Sequence, residues 1–271
     1  MITPDELIPS PQDDGKPASN EITAGMAEDL LALHRKKDEV VKPEDDSRSP
    51  ATLGPTEGSP WTVPDLSLEM LWCKPGTFQM GSPEDEEDRY DDETLHEVTL
   101  TSGYWLGKYP VTQAQWESVM GDNPSYFEGA DRPVEDVDED EVNSFCEKLT
   151  EREREAGRLP VGMACQLPTE AQWEYACRAG TKTRFSCGDE LTAEDANFDE
   201  NVGETTEVGE YPANAWGFHD MHGNVWECCA DWYGDYPRGA VRDPVGPAVG
   251  SYRVVRGGSW GFTAYSARSA N

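Results

Sequence analysis

Every aromatic residue of this 271-residue chain lies after position 60. Nine tryptophans, ten tyrosines and seven phenylalanines are confined to residues 61–271, whereas residues 1–60 hold eight of the 20 prolines and no cysteine. Aromatic side chains carry the largest apolar areas that a core can bury. The division therefore predicts one folded domain over 61–271. Ahead of it, an acidic, Pro-rich tail over 1–60 lacks the surface to fold alone and is expected to be disordered. One short helix is expected in that tail over 24–40. There Leu30, Leu31, Leu33 and Val40 form an apolar stripe, and Arg35-Lys36-Lys37 sits near the end that favours cations.

Charge narrows the class of partner. With 54 Asp+Glu against 22 Lys+Arg, the formal net charge is −32. Binding to bare nucleic acid or to an anionic membrane needs a basic surface that such a chain does not supply. No apolar run approaches the roughly 20 residues of a spanning helix. The opening Met1-Ile2-Thr3-Pro4-Asp5-Glu6 lacks the basic and apolar regions of a secretory leader. Seven scattered cysteines read as reduced thiols. These features predict a cytoplasmic protein that binds neither nucleic acid nor membrane, which leaves an unknown protein or peptide as the expected partner.

Short strands are expected at 66–73, 77–80, 97–100, 104–109 and 253–256, broken by turn residues such as Lys74-Pro75-Gly76. The hexapeptides from Thr112 to Glu117 and from Thr169 to Glu174 are near-copies, each with Thr followed three residues on by Gln. That spacing predicts a helix opened by a reciprocal capping box. A charged helix is expected from Asp138 to Gly157, with Val142, Phe145, Cys146 and Leu149 on its buried face. Beyond Gly180 the sequence becomes rich in Gly, Asn and Trp, without periodicity. The expected class is α+β, with low regular secondary structure and many loops.

The four histidines, His34, His96, His219 and His222, lack metal-ligand spacing, and no CxxC, phosphate loop or GxSxG occurs. The acidic runs Glu84–Asp88 and Asp91–Glu93 read as a solvated loop. The segment from Trp216 to Glu227 is more informative. Asp220 and Glu227 stand seven residues apart across Gly223, a spacing that closes a loop around a hard cation or else makes a plain turn with two exposed acids.

Five blocks, in order, resemble the formylglycine-generating enzyme (sulfatase-modifying factor) family. They are Leu71–Ser82, Pro110–Trp116, Leu167–Ala176, Asp220–Glu227 and Arg253–Trp260. The resemblance implies a variant of the C-type lectin fold and two structural calcium ions. One ion would take the side chains of Asp220 and Glu227 with the carbonyls of Gly223 and Val225. The other maps onto Asn197, the carbonyl of Phe198, Glu200 (or Asp199 in its place) and the carbonyl of Val202. The family's namesake oxidises a substrate cysteine to formylglycine with copper(I) held by two cysteines after the Gly-Gly-Ser motif. Here Phe262 and Ala267 occupy those positions, so copper is not expected and the catalytic role does not carry over. The family also continues for a few dozen residues past the position of Asn271, so the expected domain lacks its C-terminal part.

The resemblance leaves three readings. A calcium-stabilised, non-catalytic, bacterial-type binding module would present the loop after Trp260, with Trp260, Gly261, Phe262, Thr263, Tyr265 and Ser266 as contact residues. A cysteine-oxidising, sulfatase-modifying enzyme is the alternative. A variable ligand-binding protein of a diversity-generating retroelement is the third, because Gly261, Phe262, Thr263, Tyr265 and Ser266 are all reachable from mutated AAC codons.

Overall fold

The computed structural model describes residues 54–271; the helix expected over 24–40 lies outside the described residues. The chain runs through β1 (Trp61–Val63), β2 (Leu68–Cys73), β3 (Gly76–Met80), β4 (His96–Leu100) and β5 (Tyr104–Gly107). Three helices follow: α1 (Gln113–Met120), α2 (Glu139–Glu155) and α3 (Glu170–Arg178). Strands β6 (Glu227–Trp232), β7 (Val241–Arg242) and β8 (Arg253–Arg256) complete the order. Three small sheets result, ordered β1-β2-β5, β3-β4-β7 and β6-β8. All pairs are antiparallel except β4 with β7. The mixed α+β class and the heavy loop content agree with the sequence reading.

Both Thr-led capping boxes form. Thr112 Oγ1 accepts the Gln115 N–H at 3.3 Å while Gln115 Oε1 accepts the Thr112 N–H at 3.0 Å. The second copy does the same through Thr169 and Gln172, at 3.2 and 2.9 Å. Each box satisfies two backbone donors that a helix start leaves unpaired. A third box, Asp138 with Glu141, opens α2, where three acids in the first turn also complement the helix dipole. Helix α2 packs Phe145 flat on Trp116 of α1, with centroids 5.1 Å apart and planes 3° apart, at the centre of one apolar cluster with Trp61, Leu68 and Leu149.

A second cluster surrounds α3, where Trp173, Ala176 and Cys177 meet Phe218, Met221, Cys229 and Val254. Around it the interior is ionic. Glu174, fully buried, accepts from the Gly81 N–H, Arg178 Nε and Arg256 Nη2 at 3.0, 2.8 and 2.7 Å. Arg256 also donates to Glu170 at 3.1 Å and to the carbonyls of Ser269 and Ala270 at 2.5 and 3.1 Å. Burial acts to lower the Arg256 pKa, but Tyr236, Glu174 and Glu170 outweigh it, and the guanidinium stays charged.

The acidic runs depart from the expected solvated loop. Glu93 is buried and, with Glu86, grips the fully buried Arg268 at 2.5–2.9 Å. A buried guanidinium needs carboxylate partners, so two members of the runs turn inward while Glu84 and Asp85 remain exposed. From Thr181 to Trp226 the chain forms no helix or strand beyond the isolated bridge of Phe185 with Gly188. Among the described residues, no helix is long and apolar enough to cross a membrane.

Candidate functional site

Three irregular segments meet beside β8: 196–206, 220–227 and 257–267. The Gly223 N–H donates to the Gly257 carbonyl at 2.6 Å, and the Asn224 N–H to the Asn197 carbonyl at 2.8 Å. Gly223 has φ +84°, and a Cβ there would stand 2.1 Å from the Asn197 carbonyl oxygen, so the close approach requires glycine. Strand pairing then sets Glu227 opposite Arg256 and Cys228 opposite Val255, which fixes the carboxylate loop against the strand leading to Gly257-Gly258.

Asp220 and Glu227 are not exposed acids of a plain turn. Asp220 is 7% exposed; its Oδ2 accepts the Gly209 N–H at 2.7 Å, while Oδ1 is buried without a partner. Glu227 Oε1 is likewise buried and unpaired. Burial pushes the Asp220 carboxyl up to about 6, against the pull of the Gly209 N–H. Burial pushes Glu227 up to about 8, and Asp220 nearby raises it further while Trp173 acts the other way. Asn197 is fully buried. Its amide donates to the Glu204 carbonyl at 2.8 Å, and its Oδ1 has no partner. Three buried oxygens on two adjoining segments thus lack donors.

The other residues expected to bind cations divide. Phe198 is half-buried and its carbonyl accepts the Asn201 N–H at 3.0 Å, while Glu200 and Val202 are exposed on the same turn. Asp199 and Glu200 both hold left-handed backbone, at φ 51° and 55°. Their amides reach across to the contact loop: Asp199 N–H to the Phe262 carbonyl and Glu200 N–H to the Trp260 carbonyl, both at 2.8 Å. The Trp260 N–H in turn donates to the Asn224 carbonyl at 3.0 Å. Both segments, 196–206 and 220–227, therefore carry the backbone of residues 260–262.

On that support the contact loop turns its side chains outward. Gly261, Phe262, Thr263 and Tyr265 are exposed, and Trp260 is half-buried. Phe262 meets Trp226 edge-on at 5.4 Å, Trp260 meets Phe127 at 5.4 Å, and Tyr265 meets Tyr90 at 6.0 Å. Tyr126, 77% exposed, extends the row from Phe127. Ser266 corrects the expectation. It is buried, 4% exposed, because the short 3-10 turn Ala264–Ala267 rotates it inward and Gly258 packs against its carbonyl. Sequence reasoning missed Tyr90, Tyr126, Phe127 and Trp226, since only the folded chain brings them to the loop.

At the two positions matching the copper cysteines, Phe262 faces outward and Ala267 is buried. The Ala267 carbonyl accepts from His222 Nδ1 at 2.7 Å, and His222 Nε2 accepts the Ser186 N–H at 2.9 Å, an arrangement that requires neutral imidazole. Burial lowers the His222 pKa to about 4. All seven cysteines are free thiols, and burial raises the pKa of each. Cationic neighbours such as Arg178 and Arg256 beside Cys177 pull the other way but do not outweigh burial.

Comparison with known proteins agrees with this architecture. The chain is 34% identical over 212 residues to the serine/threonine-protein kinase pkn1 of Chlamydia caviae, a match that covers 72% of this chain and 33% of the kinase. It is 29% identical over 182 residues to the formylglycine-generating enzyme of Mus musculus, covering 61% of this chain and 44% of the enzyme. The chain thus spans less than half the length of these curated relatives. Among solved structures it superposes on Treponema denticola variable protein 1 with a TM-score of 0.67 and 30% identity, over 79% of this chain and 91% of that one. The sulfatase-modifying factor enzyme 1-like domain model matches residues 62–271, and the chain belongs to that family, with the C-type-lectin-like fold of the formylglycine-generating enzymes.

Proposed function

We propose that this domain is a calcium-braced binding module whose contact surface is the loop Trp260–Tyr265, together with Tyr90, Tyr126, Phe127 and Trp226. The observation that carries the reading is the division of labour at the loop. Its backbone is tied down by Asp199, Glu200 and Asn224, while Phe262, Thr263 and Tyr265 point to solvent. Rigid aromatics beside small hydroxyls give contact area at low entropic cost, as in many protein-recognition surfaces. The superposition on a protein named for its variability supports the same reading.

Calcium fits the donor set. Asp220 and Glu227 keep buried oxygens without partners, and a hard cation would satisfy them with the carbonyls of Gly223 and Val225. Asn197, Phe198, Glu200 and Val202 offer a second oxygen-rich turn. The ion would supply positive charge where carboxylates are now held above their ordinary range. The residues themselves then transmit that order through amides to the contact loop. The partner is a protein or peptide.

The test is twofold. Phe262→Ala with Tyr265→Ala should leave the melting temperature unchanged and remove the same proteins from an affinity capture that Trp260→Ala removes. A double variant that captured an unchanged set would refute the contact surface. The full chain, incubated with copper, a reductant, oxygen and a sulfatase-type cysteine peptide, should return the peptide at unchanged mass. Conversion to the formylglycine mass would establish the enzyme instead.

A further inference from the structure

A pocket of about 490 Å³ opens between the segment 90–93, strand β8 and the turn 233–236. Its volume lies inside the range of small-molecule sites. Five aromatic residues line it: Tyr90, Trp226, Tyr233, Tyr236 and Tyr252. Tyr90, Tyr233 and Tyr252 are exposed, so their rings are open to a ligand arriving from solvent.

The charges around these rings are unequally used. Arg253 donates Nε to Glu139 at 2.6 Å and stacks over Trp232 at 3.7 Å. Arg256 is committed to Glu170 and Glu174, and Glu93 to Arg268. Asp92 is the one lining charge that forms no ion pair among the described residues; its exposed carboxylate accepts the Tyr233 hydroxyl. The pocket thus sets one uncompensated negative charge among aromatic rings, on a chain of formal charge −32. Both features attract a cation, the carboxylate by its charge and the rings by the negative potential of their faces.

Hydrogen-bond capacity selects the kind of cation. The Tyr233 and Tyr236 hydroxyls are spent on Asp92 and Glu170, and Tyr90 is hydrogen-bonded to Tyr265. A guanidinium or a primary ammonium brings several N–H donors, and each donor taken from water without a partner costs free energy. A quaternary ammonium brings none, and its methyl groups gain by contact with the rings and with Val255.

We infer that this pocket binds a trimethylammonium group, held by the aromatic rings around Asp92. Such a group has two sources, a small molecule of the choline type or a trimethylated lysine on a partner chain, and the probes below separate them. Tyr90 and Trp226 also belong to the contact surface, but occupancy of the pocket holds or fails independently of the proteins that the loop Trp260–Tyr265 captures.

Isothermal titration of the full chain tests it with four probes: choline, its neutral tert-butyl isostere, ethanolamine, and a short peptide carrying a single trimethyl-lysine. Choline should bind saturably, one per chain, and about tenfold tighter than the isostere or ethanolamine. Tyr233→Ala, which removes an exposed ring, and Asp92→Asn should each weaken choline about fivefold at an unchanged melting temperature. Tyr233→Phe keeps the ring and should stay within about twofold of the parent, which preserves the test if Tyr233→Ala melts early. Glu151→Gln, an exposed acid on α2, measures the general pull of an acidic chain and should change nothing. Absence of saturable binding by both choline and the peptide overturns the site. So does equal affinity for choline and its isostere, or a loss in Glu151→Gln as large as that in Asp92→Asn. Ethanolamine binding as tightly as choline overturns the quaternary preference. A peptide at least about tenfold tighter than choline supports the cage and assigns its ligand to a partner chain, because flanking residues add contacts; a peptide no tighter supports the cage with a small molecule as its ligand.

Discussion

The helical region around Trp116 and Phe145 and the loop region from Thr181 to Asn271 are stabilised by different means. In the first, capping boxes start the helices and flat aromatic stacking joins them. In the second, regular elements are scarce, and buried Arg256 and Arg268, with Arg178 from the end of α3, gather carboxylates and carbonyls in their place. Apolar packing degrades gradually when a side chain shrinks, whereas a buried ionic network fails when one partner leaves a charge behind. A loop region can therefore be as ordered as a helical one, provided its polar atoms are satisfied.

The comparison can be broken at its strongest point first. Arg256→Met leaves Glu170 without its counter-charge and buried Glu174 with Arg178 alone. It should cost about 3–5 kcal/mol in urea unfolding, more than Phe145→Leu, which shrinks an apolar side chain and should cost about 1–2 kcal/mol. An equal cost would show that the ionic region is no more brittle than the packed one. Calcium sharpens the same contrast. At a hundredfold excess over Kd it should add about 2.7 kcal/mol. The gain should vanish in chelator and in Glu227→Gln, and amide exchange should slow at Asp199, Glu200 and Trp260 but not along α2. Identical melting curves with calcium and chelator would remove the ion from the account.

Smaller effects follow. Thr112→Ala and Thr169→Ala should each cost about 1 kcal/mol, because each loses one cap. Since the boxes are near-copies, unequal costs would expose the difference in what surrounds them: apolar packing at α1, the Glu174 network at α3. Smallest of all, Phe262→Ala should cost about 0.5 kcal/mol, the low end for losing an edge-on aromatic contact, here with Trp226 at a largely exposed site.

How much of this was legible in the sequence depends on the range of the interactions. The three helices and most strands follow local patterns: Thr-x-x-Gln, alternating side chains, a glycine at an end. The Asp220–Glu227 loop was legible as spacing, but the burial of both carboxylates was not, because it depends on segments 196–209 and 257–258 folding over them. Strand β6 was not, because Glu-Cys-Cys-Ala-Asp-Trp neither alternates nor runs apolar; it forms by pairing with β8. The inward turn of Glu86 and Glu93 was hidden as well, since Arg268 stands about 180 residues later. The aromatic row was hidden for the same reason, as Tyr90 and Tyr265 belong to distant segments.

The hydrogen bonds from Asp199 and Glu200 to the carbonyls of Phe262 and Trp260 are made entirely by backbone atoms. Every amino acid carries the carbonyl, and all but proline carry the N–H. The loop's path is thus written in a chemistry that mutation does not touch, and its outward side chains are written in one that mutation touches freely. Shape and side-chain identity are uncoupled there, so the side chains at residues 261–265 can change while the backbone beneath them keeps its form.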